Sequence, residues 1–107
     1  MFVAMNRFRI APGREDDFET IWRERDSRLA DVPGFKTFKL LRGPRVGQGS
    51  EDDHVLYISH SQWQSREAFE AWTRSPAFRA AHAKAGDTTG IYLSAPNFEG
   101  FEAVLEE

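Results

Sequence analysis

An α+β fold, a four-stranded antiparallel sheet with its helices on one face, is predicted by three observations. Four segments alternate in hydrophobicity with the two-residue period of strands. Two further regions carry helical spacing and helix caps. Their order is strand, helix, strand, strand, helix, strand, the split βαβ plan of a ferredoxin-like domain. Apolar residues also fall at both parities of the strands, Val55 and Tyr57 as well as Leu56 and Ile58. The second sheet face therefore needs cover, and a two-fold homodimer whose two sheets form a barrel-like core is the expected solution.

The first strand is Phe2 to Ile10, with Phe2, Ala4, Asn6, Phe8 and Ile10 on one side and Val3, Met5, Arg7 and Arg9 on the other. Asn6 interrupts an apolar face. A buried amide without partners costs about 1–3 kcal/mol, so Asn6 either pairs with backbone or waits for a ligand. Ala11-Pro12-Gly13 turns the chain, and Phe18, Ile21, Trp22, Arg25 and Leu29 then recur at three- and four-residue spacing, predicting an amphipathic helix over about Arg14 to Ala30 with Trp22 on its packed face. Pro33-Gly34 ends it. Phe35 to Arg42 sets Phe38 and Leu40 against Thr37, Lys39 and Leu41 as the second strand. Arg42 to Asp53 is glycine-rich and polar, hence a loop, and lacks the strand-before, helix-after context of a phosphate-binding glycine loop.

His54 to Ser61 is the third strand, with Val55, Tyr57 and Ser59 opposite Leu56, Ile58 and His60. His54 and His60 share a face but stand roughly 20 Å apart at strand rise, too far to chelate one ion, and each reads as a surface or edge residue. Asp87 to Asn97 is an irregular connection with a short strand expected at Ile91 to Leu93. Phe98 to Leu105 closes the sheet, with Phe101, Ala103 and Leu105 on one face.

The stretch between, Ser65 to Gly86, has the strongest helix grammar. Ser65 caps a helix over about Arg66 to Arg74, and Glu67 in its first turn complements the helix dipole. Ser75 and Pro76 repeat the start signal for a second helix running to about Ala85, with Gly86 as its stop. Phe78 and His82 are four apart and share a face, beside a row of small residues at Ala77, Ala81 and Ala85. Neutral imidazole is the commonest side-chain ligand of a transition metal, and a small-residue wall admits a planar macrocycle. The same pattern also describes an ordinary surface histidine beside an Ala-rich packing face.

The 107 residues are expected to form one domain, 1–107, burying about two-thirds of its unfolded surface. With 14 Lys and Arg against 17 Asp and Glu, the net charge of −3 argues against a nucleic-acid partner. The absence of cysteine removes disulfide, thiolate and iron–sulfur chemistry. No segment reads as a leader peptide or membrane span, so a soluble cytoplasmic protein with no membrane partner is expected.

Asn6-Arg7 in the first strand, Trp72, and His82 ten residues later within AFRAAH together resemble the IsdG-type heme-degrading monooxygenases, a resemblance that covers nearly the whole chain. The opening MNRFRI-APG and the AFEAW and SPAFRAAH runs look especially like Hmu-type members of that group. The resemblance implies that heme is both substrate and cofactor, with His82 the axial ligand of its iron. It further implies that Asn6 faces the distal side where O2 binds and that Trp72 presses on the macrocycle. Phe78 and Arg79 would join the heme-binding set, Arg79 as a cation for the propionates. These roles suit the residues, because imidazole is a good proximal ligand, an amide can donate to bound oxygen, and an indole can push a porphyrin out of plane. Ring opening to a linear tetrapyrrole, with release of iron, would need an external reductant or reductase, since no G-x-G-x-x-G fingerprint occurs. Two other readings stand beside it: a non-catalytic heme-binding or heme-transfer protein, and a cofactor-independent oxygenase of aromatic substrates from the wider antibiotic biosynthesis monooxygenase group.

Overall fold

In the computed structural model, which describes residues 1–25, 27–83 and 89–107, the chain forms β1 (Phe2–Ile10), α1 (Glu15–Glu24), β2 (Phe35–Val46), β3 (His54–Trp63), α2 (Arg66–Thr73), α3 (Pro76–Ala83) and β4 (Asn97–Glu102). The strands make one antiparallel sheet in the order β2-β3-β1-β4. This is the expected α+β, ferredoxin-like arrangement. The sheet of one chain is open, with β2 and β4 at its edges, and does not close into a barrel by itself. Among the described residues no helix is long and apolar enough to cross a membrane.

Burial follows the parity of β1. Phe2, Ala4, Phe8 and Ile10 are buried under the helices, and Asn6 takes its place in the same row half-buried. The core beneath the helices is divided in two. One cluster joins Phe8, Ile10, Phe18, Val55, Tyr57 and Ile91; the other joins Phe2, Ala4, Leu29 and Trp63, with Phe69 and Trp72 packed against it. Between them the inward residues of the two central strands are Asn6, Ser59 and Ser61, with Ala4 at the margin of the second cluster, all too small to fill the gap.

Several boundaries depart from the sequence reading. The first helix ends at Glu24 instead of Ala30, and Arg25 is already extended. The chain then reaches Leu29 in a 3-10 turn, Leu29–Asp31, which carries that leucine to the second cluster rather than the first. A continuous helix would have kept Phe18 and Leu29 on one stripe, and the split core forbids it. The second strand continues to Val46, taking in Gly43 and Pro44, and the loop reduces to a turn after Val46. Pro44 is tolerated because β2 is an edge strand and its pairing with β3 is irregular between Arg42 and Arg45. The third strand extends two residues to Trp63. His54 is buried rather than superficial, its Nδ1–H donating to the Asp52 carbonyl at 2.6 Å.

The last strand stops at Glu102, and Val104 and Leu105 stand 96% and 75% exposed. Ile91 to Leu93 forms no strand, only an isolated bridge of Tyr92 to Ile10 flanked by backbone hydrogen bonds to Ala11 and Arg9. Both predicted helix starts are present, with Ser65 Oγ accepting from Ala68 N at 3.1 Å and Ser75 Oγ from Phe78 N at 3.2 Å. The expected end of the second helix, at Ala85 and Gly86, lies outside the described residues.

Two contacts seat the helices on the sheet. Gly34, at φ 83°, lets the start of β2 pass under α2, where an added Cβ would lie 2.5 Å from Cβ of Ala68. On the other side Glu19 of α1 accepts from Tyr57 Oη at 2.6 Å and from Arg42 Nε at 2.9 Å, while Arg23 lies 3.0 Å away. The Tyr57 hydroxyl first, and then the Arg42 guanidinium, hold the Glu19 carboxyl below its usual 4.5.

Gly34→Ala should therefore cost more stability than Gly13→Ala. Both force an alanine to positive φ, at about 1–2 kcal/mol, but Gly13 has open space around it, whereas Gly34 adds overpacking of about 1–3 kcal/mol. Urea titration of the two variants checks the difference. Because the Glu19 pKa is lower folded than unfolded, its contribution to stability is complete above about pH 5 and is lost as pH falls from 4.5 through the depressed value. Glu19→Gln should flatten that part of the stability–pH profile and leave the slope near neutrality unchanged.

Candidate functional site

The gap between the two core clusters is a cavity of about 590 Å³. Its floor is the small-residue centre of the sheet, Ala4, Asn6, Ser59 and Ser61. Trp22 and Phe38 wall one side, and Phe69, Trp72, Phe78 and His82 the other. A volume of this size, with mostly aromatic walls and a few convergent polar groups, suits an organic ligand or cofactor. A smaller cleft of about 330 Å³ between α1 and β2 has Glu19, Arg23, Arg42 and Tyr57 in its lining, whose polar ends are already paired with one another.

His82 is exposed and lines the cavity from α3. Its Nδ1 lies 2.7 Å from the carbonyl oxygen of Phe78, one turn earlier. A carbonyl can only accept, so Nδ1 carries the proton and Nε2 keeps its lone pair in the neutral ring. Such a bond orients imidazole ligands at metal centres and makes them more basic. Phe78 packs against the same ring at 4.0 Å between centroids with the planes tilted by 31°, and Trp72 meets Phe78 edge-on at 4.9 Å. Trp72 also packs on Trp63 at 5.2 Å, so one indole serves the core on one face and the cavity on the other. Ala77 and Ala81 are half-buried, and Ala85 lies outside the described residues.

Asn6 lines the same cavity from β1. Its side chain makes no hydrogen bond among the described residues, so of the two roles open to it, the pairing with backbone is absent. Among the described residues there is no group of three or more His, Asp and Glu that could hold a metal ion.

Among the described residues the cation lining this cavity is Arg25. Arg79 is exposed on α3 and does not line the cavity. The Arg25 guanidinium lies 4.6 Å over Trp22 and 4.5 Å over Phe38, whose rings stack on each other at 5.7 Å. It has no carboxylate partner among the described residues, and burial pulls its pKa below the usual value while leaving it charged. A charged, aromatic-stacked and unpaired guanidinium beside a cavity is a receptor for a planar anion. The sequence held one signal for it: Arg25 is the single cation in the otherwise apolar series of the first helix.

Comparison with known proteins gives concordant results. The family model described as antibiotic biosynthesis monooxygenase matches residues 1–84. A Mycobacterium tuberculosis protein named heme oxygenase (mycobilin-producing) is 32% identical over 104 residues, covering 97% of this chain and 90% of the relative. A heme-degrading monooxygenase of Bacillus thuringiensis is 38% identical over 90 residues, covering 80% of this chain and 75% of the relative. Among solved structures, the M. tuberculosis heme-degrader MhuD, with two hemes bound in its active site, superposes with a TM-score of 0.73 at 30% identity, covering 100% of this chain and 99% of the other.

Proposed function

The chain belongs to the antibiotic biosynthesis monooxygenase family, and on that premise we propose that it is a heme-degrading monooxygenase whose single domain, 1–107, opens the porphyrin ring of heme to a linear tetrapyrrole and releases the iron. The observation that carries this reading is the His82 ring. It stands at an aromatic-walled cavity with Nδ1–H committed to the Phe78 carbonyl and Nε2 left to ligate. The cavity residues fit the group: flat aromatic walls for the macrocycle, one imidazole for the iron, one unpaired amide and one unpaired guanidinium.

Bound heme supplies both the iron at which O2 is activated and the ring that is oxidised. His82 would hold the iron through Nε2, with the Phe78 carbonyl fixing the tautomer. Asn6 would offer an N–H donor on the oxygen side, among the largely apolar cavity walls. Trp72, packed on Trp63, would lie against the macrocycle and bias its shape. Phe78 restrains the imidazole by a tilted ring contact. Arg25 takes a propionate in a charge-assisted pair, with Arg79 available to the second from solvent. Electrons come from an external reductant or reductase.

The outer sheet face supports a homodimer, since Leu41 and Phe101 are 42% and 47% exposed there beside Val3, Met5, Leu56 and Ile58. Two such faces meeting would complete the barrel that one open sheet cannot form. A cytoplasmic enzyme that recovers iron from heme is consistent with these features.

Hemin should bind and shift its Soret band, and O2 with a reductant should then bleach it. A saturable shift without bleaching, across several reductants, would leave a heme-binding or heme-transfer protein; no shift at all would point to a cofactor-independent oxygenase. His82→Ala should lose the histidine-ligated spectrum and all turnover. Asn6→Ala should keep that spectrum and slow ring opening about a hundredfold, because its donor acts on the activated state. Trp72→Ala should flatten the porphyrin and lower turnover, and Trp72→Phe should retain much of both. Arg25→Ala should weaken hemin binding about tenfold with the spectrum unchanged, which a hemin titration measures.

A further inference from the structure

Ser59 lies in the sheet row that crosses the cavity floor, in which Leu40, Ser59, Asn6 and Phe98 are successive antiparallel partners. It is 6% exposed, yet its hydroxyl makes no hydrogen bond among the described residues. Ser61, two positions along on the same face, is different. Its oxygen accepts from Trp63 Nε1 at 2.9 Å and donates to the Ala4 carbonyl at 3.4 Å. The fold uses one serine and leaves the other unpaired. The Ser59 hydroxyl opens onto the cavity, so it is left for a neighbouring side chain or a ligand to use.

The neighbour in reach is Asn6. Directly opposed residues of an antiparallel pair hold their Cβ atoms about 4.5–5.5 Å apart, and both side chains line the same cavity. At that spacing a serine hydroxyl and an asparagine amide are within reach of one hydrogen bond. The two possible arrangements have opposite consequences. If the hydroxyl accepts from the Asn6 NH2, the amide carbonyl faces the cavity. If it donates to the amide carbonyl, the NH2 is the end presented.

Resting on the heme reading above, we propose that Ser59 is a positioning residue. Its hydroxyl donates to the side-chain carbonyl of Asn6 and so fixes the amide with its N–H donor toward the ligand. A ligand that accepts a hydrogen bond selects this arrangement. Ser59 then acts only through Asn6, and its effect belongs to the oxygen side of the heme, not to the binding of heme itself.

The test uses azide as a hydrogen-bond-accepting probe of the ferric heme complex. Ser59→Ala keeps the space and removes the hydroxyl. It should bind hemin within twofold of the wild type, lose about three- to tenfold in azide affinity, and alter the ratio of ring-opened isomers seen by mass spectrometry. Ser59→Thr should restore azide affinity. In the Asn6→Ala background, Ser59→Ala should add no further loss. If Ser59→Ala binds azide as the wild type does and gives the same products, the serine only makes room and the proposal is overturned. Loss of azide affinity that persists undiminished without Asn6 overturns it as well, since Ser59 would then act directly. A wild-type protein that takes up no hemin overturns both this proposal and the heme reading; wild-type hemin binding with an inert Ser59 overturns this one alone.

Discussion

The structure depends on a break in its own core. Four-stranded sheets of this size usually bury one continuous apolar layer against their helices, but the centre of this one is Ala4, Asn6, Ser59 and Ser61, which cannot fill the space beneath the helical layer. Large side chains therefore gather at the two ends of the sheet, around Phe8, Phe18 and Tyr57 and around Phe2, Trp63 and Leu29. The chain gives up the burial that valine or leucine would add at the central positions. What it gains is a cavity with a polar floor, placed by the sheet register and held open by clusters that pack independently on either side.

Both walls of that cavity are set by contacts outside it. Glu19, bound to Tyr57 and Arg42, holds α1 on the sheet, and with it Trp22 and the start of the extended segment that turns Arg25 over Trp22 and Phe38. On the other wall, Ser65 and Ser75 start two successive helices. Their junction brings Trp72 and Phe78 together at 4.9 Å, with His82 one turn further on. Trp63 backs this wall from the sheet at 5.2 Å from Trp72. The groups proposed to ligate, donate and press thus come from three separate elements, each stiffened by partners of its own, which is the preorganisation that a reaction at a rigid macrocycle needs.

Much of the fold was legible because it rests on local rules. Parity placed Phe2, Ala4, Asn6, Phe8 and Ile10 on one face of β1, and the Ser and Ser-Pro starts placed both helices of the Ser65 region. The errors came where a long-range demand overrode a local pattern. The periodicity from Phe18 to Leu29 reads as one helix, but those two residues belong to different clusters and the chain breaks between them. Gly43 and Pro44 read as loop, yet an irregular edge strand accommodates both.

The site divides in the same way. Sequence by itself determined two residues that are chemically odd for their positions: an amide on an apolar strand face and a histidine four residues after a phenylalanine. Only the tertiary structure decided what each of them meets. It bonded His82 Nδ1 to the Phe78 carbonyl, left Asn6 and Ser59 unpaired side by side, and carried Arg25 to the cavity while Arg79 stayed in solvent. The physical reason is that residue type and spacing fix periodicity and capping within a segment. Which polar groups are left without partners is decided only when strands distant in sequence take their register and the helices close over them.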